Sequence, residues 1–308
     1  MGKIAFVFPG QGSQAVGMGK AAVDASAEAK AVFDAADEAL GESLSGMCFE
    51  GPADDLKLTA NTQPAILTTS IALFRAFGES CDMAAGHSLG EYSAQVAAGT
   101  LAFEDAVKLV RVRGTYMQEA VPVGQGAMAA VLRGDLAGIE KACADTPGIV
   151  EPVNYNCPGQ LVIAGEAAAV EAAGPAIKEA GGRVRPLPVS APFHSSLMRP
   201  AEERLTPHLA DTSFSAPSVP VYVNVDAVPV TEGDAARDAL VRQVSRPVRW
   251  QASIEKMIAD GATLFVEIGP GKVLCGMIPR IDKSVTCVSI QGPDDFEAAR
   301  DAMQAARG

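Results

Sequence analysis

The sequence predicts an α/β protein, in which a large domain built on a parallel sheet carries a smaller α+β domain as an insertion. Short apolar runs typical of buried strands alternate with helical segments before residue 122 and again after residue 219. This alternation predicts a parallel sheet with helices on both faces. The middle of the chain follows a different order of elements, and proline and glycine residues flank it on both sides, as at a domain boundary.

The large domain begins with an apolar strand at residues 3–8, and an alanine-rich helical pattern follows over residues 18–40. Further helices are predicted at residues 62–77, 88–98 and 103–120, and further strands at residues 81–86, 219–225, 263–268 and 285–290. These strands are short and apolar, as expected where a sheet is covered on both faces.

The middle of the chain predicts the order βαββαβ, which is the ferredoxin-like unit. Its strands are predicted at residues 127–132, 149–156, 160–164 and 183–189, and its helices at residues 135–144 and 167–180. We therefore assign residues 1–122 and 190–308 to a discontinuous large α/β domain and residues 123–189 to the small domain.

Composition limits the classes of function. The 308 residues include 25 basic and 37 acidic side chains, a net charge of −12, so nucleic acid is not an expected partner. No run approaches the roughly 18 apolar residues of a membrane helix, and the apolar run at residues 4–8 is too short for a signal-peptide core. The six cysteines are scattered without metal-binding spacing. We therefore expect reduced thiols, no metal site and a cytoplasmic protein.

Gly86-His87-Ser88-Leu89-Gly90 has the G-x-S-x-G pattern of a nucleophile elbow and lies between a predicted strand and a predicted helix. This context predicts an α/β-hydrolase-like large domain that exposes the Ser88 hydroxyl at a helix N-terminus. The backbone N–H of Leu89 would then face a developing oxyanion. The alternative is a glycine-rich turn with an incidental serine.

A nucleophilic serine needs a base, and the chain has three histidines. His87 is adjacent to Ser88, so its side chain is expected to diverge and to support the elbow. His208 is expected on the surface of a polar helix. His194 lies in a proline-stiffened loop just after the small domain, where a base at the seam of two domains is expected. We predict His194 as the base; the alternative is a loop histidine without a role.

Five motifs then occur in order along nearly the whole chain: FPGQGSQ at 8–14, TQPA at 62–65, GHSLGEYSA at 86–94, FHSSLM at 193–198 and EIGPGKVL at 267–274. Together they resemble the malonyl-CoA:acyl carrier protein transacylases, the acyltransferase family of fatty acid synthesis. That family also carries an inserted ferredoxin-like unit, so the resemblance agrees with the predicted organisation.

The resemblance implies a role for each residue of a catalytic centre. Ser88 would be the acylated nucleophile, and His194 would be its general base and acid. The backbone carbonyl of Gln243 would orient the histidine, in place of an aspartate. The backbone N–H groups of Gln11 and Leu89 would form the oxyanion hole.

Two further residues would bind the acyl group. Arg113 would grip the malonyl carboxylate; its alternative is a solvated helix arginine. Arg111 lies two residues away and so faces elsewhere on the same helix. Phe193 would crowd out an α-methyl group, as in malonyl-type acyltransferase domains; its alternative is core packing.

The implied activity is ping-pong transfer of malonyl from malonyl-CoA to the phosphopantetheine thiol of acyl carrier protein, by a monomer without a cofactor. Fatty acid and polyketide synthesis both remain open as the destination. A serine hydrolase and a non-catalytic carrier-binding module are the rival interpretations. Since carrier proteins are typically acidic, a local basic patch is expected near the cleft, with Arg183, Arg185, Lys272, Arg280 and Lys283 as candidates.

Overall fold

The computed structural model describes residues 2–189 and 191–308, and within them it confirms the α/β class. The strands, β1 to β10 in chain order, are Lys3–Phe8, Met83–Gly86, Gly126–Leu132, Val150–Cys157, Gln160–Glu166, Arg183–Pro186, Val221–Tyr222, Pro229–Val230, Ala262–Ile268 and Thr286–Ile290.

The helices, α1 to α15, are Lys20–Ala25, Ala27–Leu40, Leu44–Glu50, Ala53–Leu56, Thr59–Phe77, Gly90–Ala97, Phe103–Glu119, Leu136–Asp145, Ala167–Ala172, Gly174–Glu179, Arg199–Ala210, Gly233–Gln243, Trp250–Ala259, Val273–Ile281 and Phe296–Arg307. Two short 3₁₀ helices cover Ser196–Met198 and Pro293–Asp295. None of these helices is long and apolar enough to cross a membrane.

The large sheet has the strand order β10-β9-β1-β2-β7-β8, and all neighbours are parallel except the β7–β8 hairpin. Strand β1 lies near its centre. Ile4, Phe6 and Phe8 point into one apolar core. Ala5 and Val7 point into a second core on the other face. Burial on both faces explains why the strand is continuously apolar rather than alternating.

The small sheet has the order β4-β5-β3-β6 with antiparallel neighbours, which is the predicted ferredoxin-like topology. One face packs against α8, α9 and α10. The opposite face carries Met128, Val153 and Val162, and Phe193 of the large domain packs against it. This face therefore packs against the loop that carries Phe193. The boundaries of 123–189 stay a prediction, and Met1 and Ser190 lie outside the described residues.

Three element predictions differ from the structure. The alanine-rich segment is two helices, because Ser26 interrupts it and caps α2 by accepting a hydrogen bond from the Ala29 N–H at 3.2 Å. The segment at 167–180 is likewise divided into α9 and α10. The strand predicted at 219–225 contains only Val221–Tyr222, and it pairs with Pro229–Val230 in a hairpin that the apolar pattern did not indicate.

The expectation of six reduced thiols is wrong for one pair. Cys275 in α14 and Cys287 in β10 form a disulfide, with their Cα atoms 5.3 Å apart. Their approach depends on the packing of the helix against the strand, which cysteine spacing does not reveal. The other four cysteines are free: Cys48, Cys81, Cys143 and Cys157. The expectation of a cytoplasmic protein therefore no longer rests on the cysteines.

Candidate active site

The structure places Ser88 in a tight turn between β2 and α6. Its φ of 52° is in the left-handed region, and the helix begins only at Gly90. A Cβ on Gly86 would lie 1.9 Å from the carbonyl of Gly90, and one on Gly90 would lie 2.0 Å from the carbonyl oxygen of Phe8. The turn therefore requires glycine on both sides of the serine, as a nucleophile elbow does.

Ser88, His194 and Gln243 form one hydrogen-bonded chain. The Ser88 hydroxyl donates to His194 Nε2 at 2.7 Å, and His194 Nδ1–H donates to the backbone carbonyl of Gln243 at 2.8 Å. Burial, assisted by the nearby Arg113 charge, lowers the pKa of His194 to about 3. The imidazole is therefore neutral at physiological pH and can accept the serine proton.

The other two histidines do not contact Ser88. The His87 ring nitrogen Nε2 bonds the Asn156 side chain at 2.9 Å, and its ring packs 5.6 Å from that of Trp250. His208 is exposed on α11, where its Nε2 lies 3.0 Å from the Tyr116 hydroxyl. His87 thus joins the elbow to β4, and neither residue is placed to act as the base.

Arg113 projects from α7 into the site and is only 1% exposed. Its guanidinium donates to Gln63 Oε1 and Gln243 Oε1, each at 2.8 Å, and to Ser88 Oγ at 3.3 Å. The guanidinium lies 5.6 Å from the centre of the Tyr92 ring, and its Nε has no partner among the described residues. All three acceptors are neutral, so the site holds a buried positive charge without a carboxylate hydrogen-bonded to it.

Arg111 points away from the site, as the helical spacing predicts. It pairs with Glu42 and also donates to the side chain of Asn61. Two arginines on one helix therefore have opposite environments: Arg111 has an acidic partner, whereas Arg113 faces Ser88.

Six of the predicted site residues line one cavity between the two domains: Gln11, Ser88, Leu89, Arg113, Phe193 and His194. The backbone N–H groups of Gln11 and Leu89 have no acceptor among residues 2–189 and 191–308. Both N–H groups are therefore available as donors, which is one requirement of an oxyanion hole.

Phe193 is partly buried and packs against the apolar cores of both domains. It also lines the catalytic cavity. Its position is therefore compatible with both interpretations offered from the sequence, since one ring both fills the domain interface and lines the cavity that contains Ser88.

Three polar residues around Ser88 were not predicted from the sequence. Asn224 spans the elbow: its Oδ1 accepts from the Ser88 N–H and its Nδ2 donates to the Gly86 carbonyl, both at 2.7 Å. Glu91 is fully buried in α6, and burial raises its pKa to about 7. Gln63 holds Arg113. Gln63 and Glu91 lie inside the recognised motifs and could have been singled out, whereas Asn224 had no sequence signal.

No group of three or more histidine, cysteine or acidic side chains suited to a metal occurs in the described part of the chain. The polar groups of the cavity are instead arranged around a serine, a neutral imidazole and a guanidinium. These groups suit nucleophilic attack on a carbonyl whose substituent carries a negative charge.

Comparisons with known proteins agree with this chemistry. The family model of the acyl transferase domain matches residues 5–290. A relative from Escherichia coli strain K12, named malonyl CoA-acyl carrier protein transacylase, is 50% identical over 97% of this chain and 99% of its own length. A relative of the same name from Bacillus subtilis is 49% identical over 97% of this chain and 96% of its own length.

Solved structures share the whole fold. An acyl carrier protein S-malonyltransferase from Vibrio cholerae superposes with a TM-score of 0.94 at 47% identity, covering 96% of this chain and 99% of that one. A malonyl-transacylase solved in complex with a type II PKS acyl-carrier protein gives 0.95 at 42% identity, covering 97% and 99%. The resemblance seen in the five motifs is thus confirmed, and the chain belongs to the acyltransferase family of malonyl-CoA:acyl carrier protein transacylases.

Proposed function

We propose that this protein transfers malonyl from malonyl-CoA to the phosphopantetheine thiol of acyl carrier protein, through a malonyl ester on Ser88, and so supplies fatty acid synthesis. The observation that carries the proposal is the buried guanidinium of Arg113, which lies 3.3 Å from the Ser88 hydroxyl and whose acceptors among the described residues are all neutral. A buried charge is costly unless it is paired, and the carboxylate of a malonyl group would pair it.

In the first half-reaction, Ser88 Oγ attacks the thioester carbonyl while His194 Nε2 takes the hydroxyl proton. The Gln243 carbonyl accepts from Nδ1–H at 2.8 Å and so fixes the tautomer in which Nε2 can receive that proton. The N–H groups of Gln11 and Leu89 stabilise the tetrahedral oxyanion, and each such donor contributes about 10²–10³-fold to the rate. When the C–S bond breaks, the imidazolium returns its proton to the leaving thiolate of coenzyme A.

In the second half-reaction, the carrier's thiol enters the same cavity and loses its proton to His194. The thiolate attacks the malonyl ester, and the same oxyanion hole stabilises the second tetrahedral intermediate. Ser88 then leaves and recovers its proton from His194. Because one histidine serves both directions, positioned proton transfer worth about 10²–10⁴-fold acts in each half.

Arg113 would fix the malonyl carboxylate in a two-pronged contact, which orients the acyl chain toward Ser88. Phe193 would narrow the cavity beside the α-carbon and so disfavour a methyl-branched acyl group. Both assignments predict that the enzyme selects its substrate by the acyl group rather than by the thiol that carries this group.

A malonyl-adduct experiment tests the proposal against its rivals. The protein is mixed with malonyl-CoA, quenched and weighed by mass spectrometry, with Ser88→Ala as the control. A malonyl adduct on Ser88 that carrier protein discharges supports transfer. Free malonate without a discharging adduct would favour a serine hydrolase, and no reaction at all would favour a carrier-binding module.

We further propose that the enzyme acts as a monomer, without a cofactor, in the cytoplasm. The support for the first point is that the nucleophile, base and guanidinium all come from one chain and already contact one another. The mechanism above moves only protons and an acyl group, so it needs no redox or metal chemistry. Sedimentation of the active enzyme tests the monomeric state, and cell fractionation tests the cytoplasmic location.

We propose that the surface of this protein on which the carrier docks is basic. This chain has a net charge of −12 and carrier proteins are typically acidic, so long-range forces would otherwise oppose their encounter. All five candidate residues are exposed: Arg183, Arg185, Lys272, Arg280 and Lys283. Arg280 also donates to Gln160 and to the Pro158 carbonyl of the small domain. Reversing the five charges should raise the KM for carrier protein and leave that for malonyl-CoA unchanged; unchanged carrier kinetics would place docking elsewhere.

A further inference from the structure

Glu91 is a buried acidic residue that the mechanism above does not use. It lies one turn beyond Ser88 in α6 and is 0% exposed. Its Oε2 accepts two hydrogen bonds, from the backbone N–H of Asn224 at 2.9 Å and from the side-chain Nε2 of Gln243 at 2.8 Å. Its Oε1 has no partner among the described residues. Burying a carboxylate costs free energy unless it is paired or hydrogen-bonded, so the contacts of Glu91 need an explanation.

The contact with Gln243 fixes the orientation of that side-chain amide. Nε2 donates to Glu91 Oε2 and to the Ser88 carbonyl, so the opposite atom, Oε1, faces the guanidinium of Arg113 at 2.8 Å. If the amide rotated by half a turn, its NH₂ group would face the Arg113 donors and its oxygen would face the Glu91 oxygen. Both new contacts would be repulsive. Glu91 and Arg113 therefore hold the amide from its two ends.

The guanidinium of Arg113 depends on this amide for its position. Within residues 2–189 and 191–308, two side-chain amides, those of Gln63 and Gln243, accept hydrogen bonds from it at 2.8 Å, and the contact to Ser88 Oγ is longer at 3.3 Å. Removing the Gln243 acceptor would leave one short hydrogen bond, which allows the planar group to pivot. A pivot matters for a carboxylate ligand because bidentate pairing requires the guanidinium in one plane.

We propose that Glu91 is a positioning residue for malonyl selection, which acts through the Gln243 amide to hold Arg113 in the plane that receives the malonyl carboxylate. The inference rests on the proposed role of Arg113. It assigns to Gln243 a second task, since the backbone carbonyl of the same residue holds His194. One glutamine would then set both the base and the anion-binding group.

The test compares catalytic efficiency for malonyl-CoA and acetyl-CoA in each variant, because the ratio of the two is independent of how much of a preparation is folded. Glu91→Met fills the space without accepting hydrogen bonds, and its malonyl-to-acetyl ratio is expected to fall at least about tenfold, the loss of one hydrogen bond to a charged group. Glu91→Gln offers a carbonyl oxygen where Oε2 lies, so both contacts can form and the ratio should stay within about threefold of wild type.

A double variant tests whether Glu91 acts on Arg113 through the Gln243 side chain. If Glu91 acts through the Gln243 side chain, Glu91→Met added to Gln243→Met should lower the ratio no further than Gln243→Met alone. Losses that multiply would overturn the proposal, as would a ratio in Glu91→Met within about threefold of wild type. A loss in Glu91→Gln as large as in Glu91→Met would also overturn it. Should Glu91→Met fail to fold, Glu91→Asp keeps a carboxylate but is one methylene shorter, and the same fall in the ratio is expected.

Two controls test whether the loss of selectivity is specific to Glu91. Glu267 is also a fully buried carboxylate, and it accepts from the backbone N–H groups of Leu274 and Cys275 at 3.0 and 2.8 Å. Glu267→Met should therefore lower the melting temperature without changing the ratio. Arg113→Ala is measured in parallel. If Arg113→Ala lowers the ratio and Glu91→Met does not, only the positioning role of Glu91 is wrong. If neither variant lowers the ratio, the proposed role of Arg113 is wrong.

Discussion

Removal of the Arg113 guanidinium is the sharpest test of what the enzyme transfers. Arg113→Ala should reduce malonyl transfer far more than acetyl transfer, because malonyl differs from acetyl by the carboxylate that Arg113 is placed to pair. Without the guanidinium, that carboxylate would enter a cavity whose remaining groups are neutral or apolar, and a buried unpaired charge is costly.

The magnitude follows from the burial of the pair. Arg113 is 1% exposed and hydrogen-bonded to Gln63 and Gln243, so the carboxylate it receives is desolvated with it. Truncating one partner of such a pair costs about 2–5 kcal/mol, which corresponds to roughly 30-fold to several thousand-fold in malonyl transfer. Arg113→Lys should recover only part of this, since an ammonium cannot make the planar two-pronged contact. Acetyl transfer should fall much less and could rise, because the buried cation is gone.

The assay is the ratio of kcat/KM for malonyl-CoA to that for acetyl-CoA, in wild type and in each variant. Arg111→Ala is the matched control, because Arg111 lies on the same helix but pairs with Glu42. Its ratio should equal that of wild type. If Arg113→Ala also leaves the ratio unchanged, the carboxylate is held by another group and the assignment of Arg113 is wrong.

Three further predictions concern titration and thiol chemistry. Since the pKa of His194 is lowered to about 3, titration of His194 should give kcat/KM for malonyl-CoA no acid limb between about pH 5 and 7. The acid limb of kcat should lie at higher pH than that of kcat/KM. Burial raises the pKa of Glu91 to about 7, so the profiles are also measured in Glu91→Gln, which has no titrating carboxyl group there. A kcat/KM limb near the ordinary histidine value of 6.5 that persists in Glu91→Gln would contradict the burial argument. Burial raises the pKa of Glu267 from 4.5 to about 7. As pH rises, the unfolded chain therefore loses this proton at a lower pH than the folded chain does. The stability contributed by Glu267 should fall between these two pKa values, by up to about 3 kcal/mol. Chemical denaturation of Glu267→Gln should show a smaller loss over the same window, and an unchanged pH slope would refute the shift. Thiol titration of the denatured, unreduced protein should find four free thiols, because Cys275 and Cys287 are paired; six would exclude the disulfide.

The sequence predicted the fold wherever one local signal decided it. The strand at residues 3–8 is apolar at every position from Ile4 to Phe8, and it is the strand buried on both faces. The hairpin at Pro229–Val230 was missed because two-residue strands carry no periodicity to detect. The disulfide was missed for a related reason, since the approach of α14 to β10 is a tertiary event.

The site was predictable to the extent that its residues lie in motifs with a chemical requirement. Ser88 follows from the elbow glycines, which only a tight turn explains. Asn224 was not predictable, because it reaches the elbow from a loop 136 residues away in sequence and shows no pattern of its own. The side-chain role of Gln243 was missed as well, since the resemblance implied only its carbonyl.

The position of Arg113 also links substrate choice to the strength of the base. Its charge is the second cause, after burial, that lowers the pKa of His194, because an imidazolium next to a buried guanidinium is repelled. A malonyl carboxylate that pairs Arg113 neutralises this repulsion, so the pKa of His194 should be higher in the malonyl-CoA complex than in the free enzyme. Acetyl-CoA brings no carboxylate and leaves the base weak. This difference is why the acid limb of kcat for malonyl-CoA is expected at higher pH than that of kcat/KM, which reports the free enzyme. Arg113→Ala removes the repulsion permanently, so the kcat/KM limb, which reports the free enzyme, should move to higher pH in this variant; a limb that does not move would show that the repulsion comes from another group.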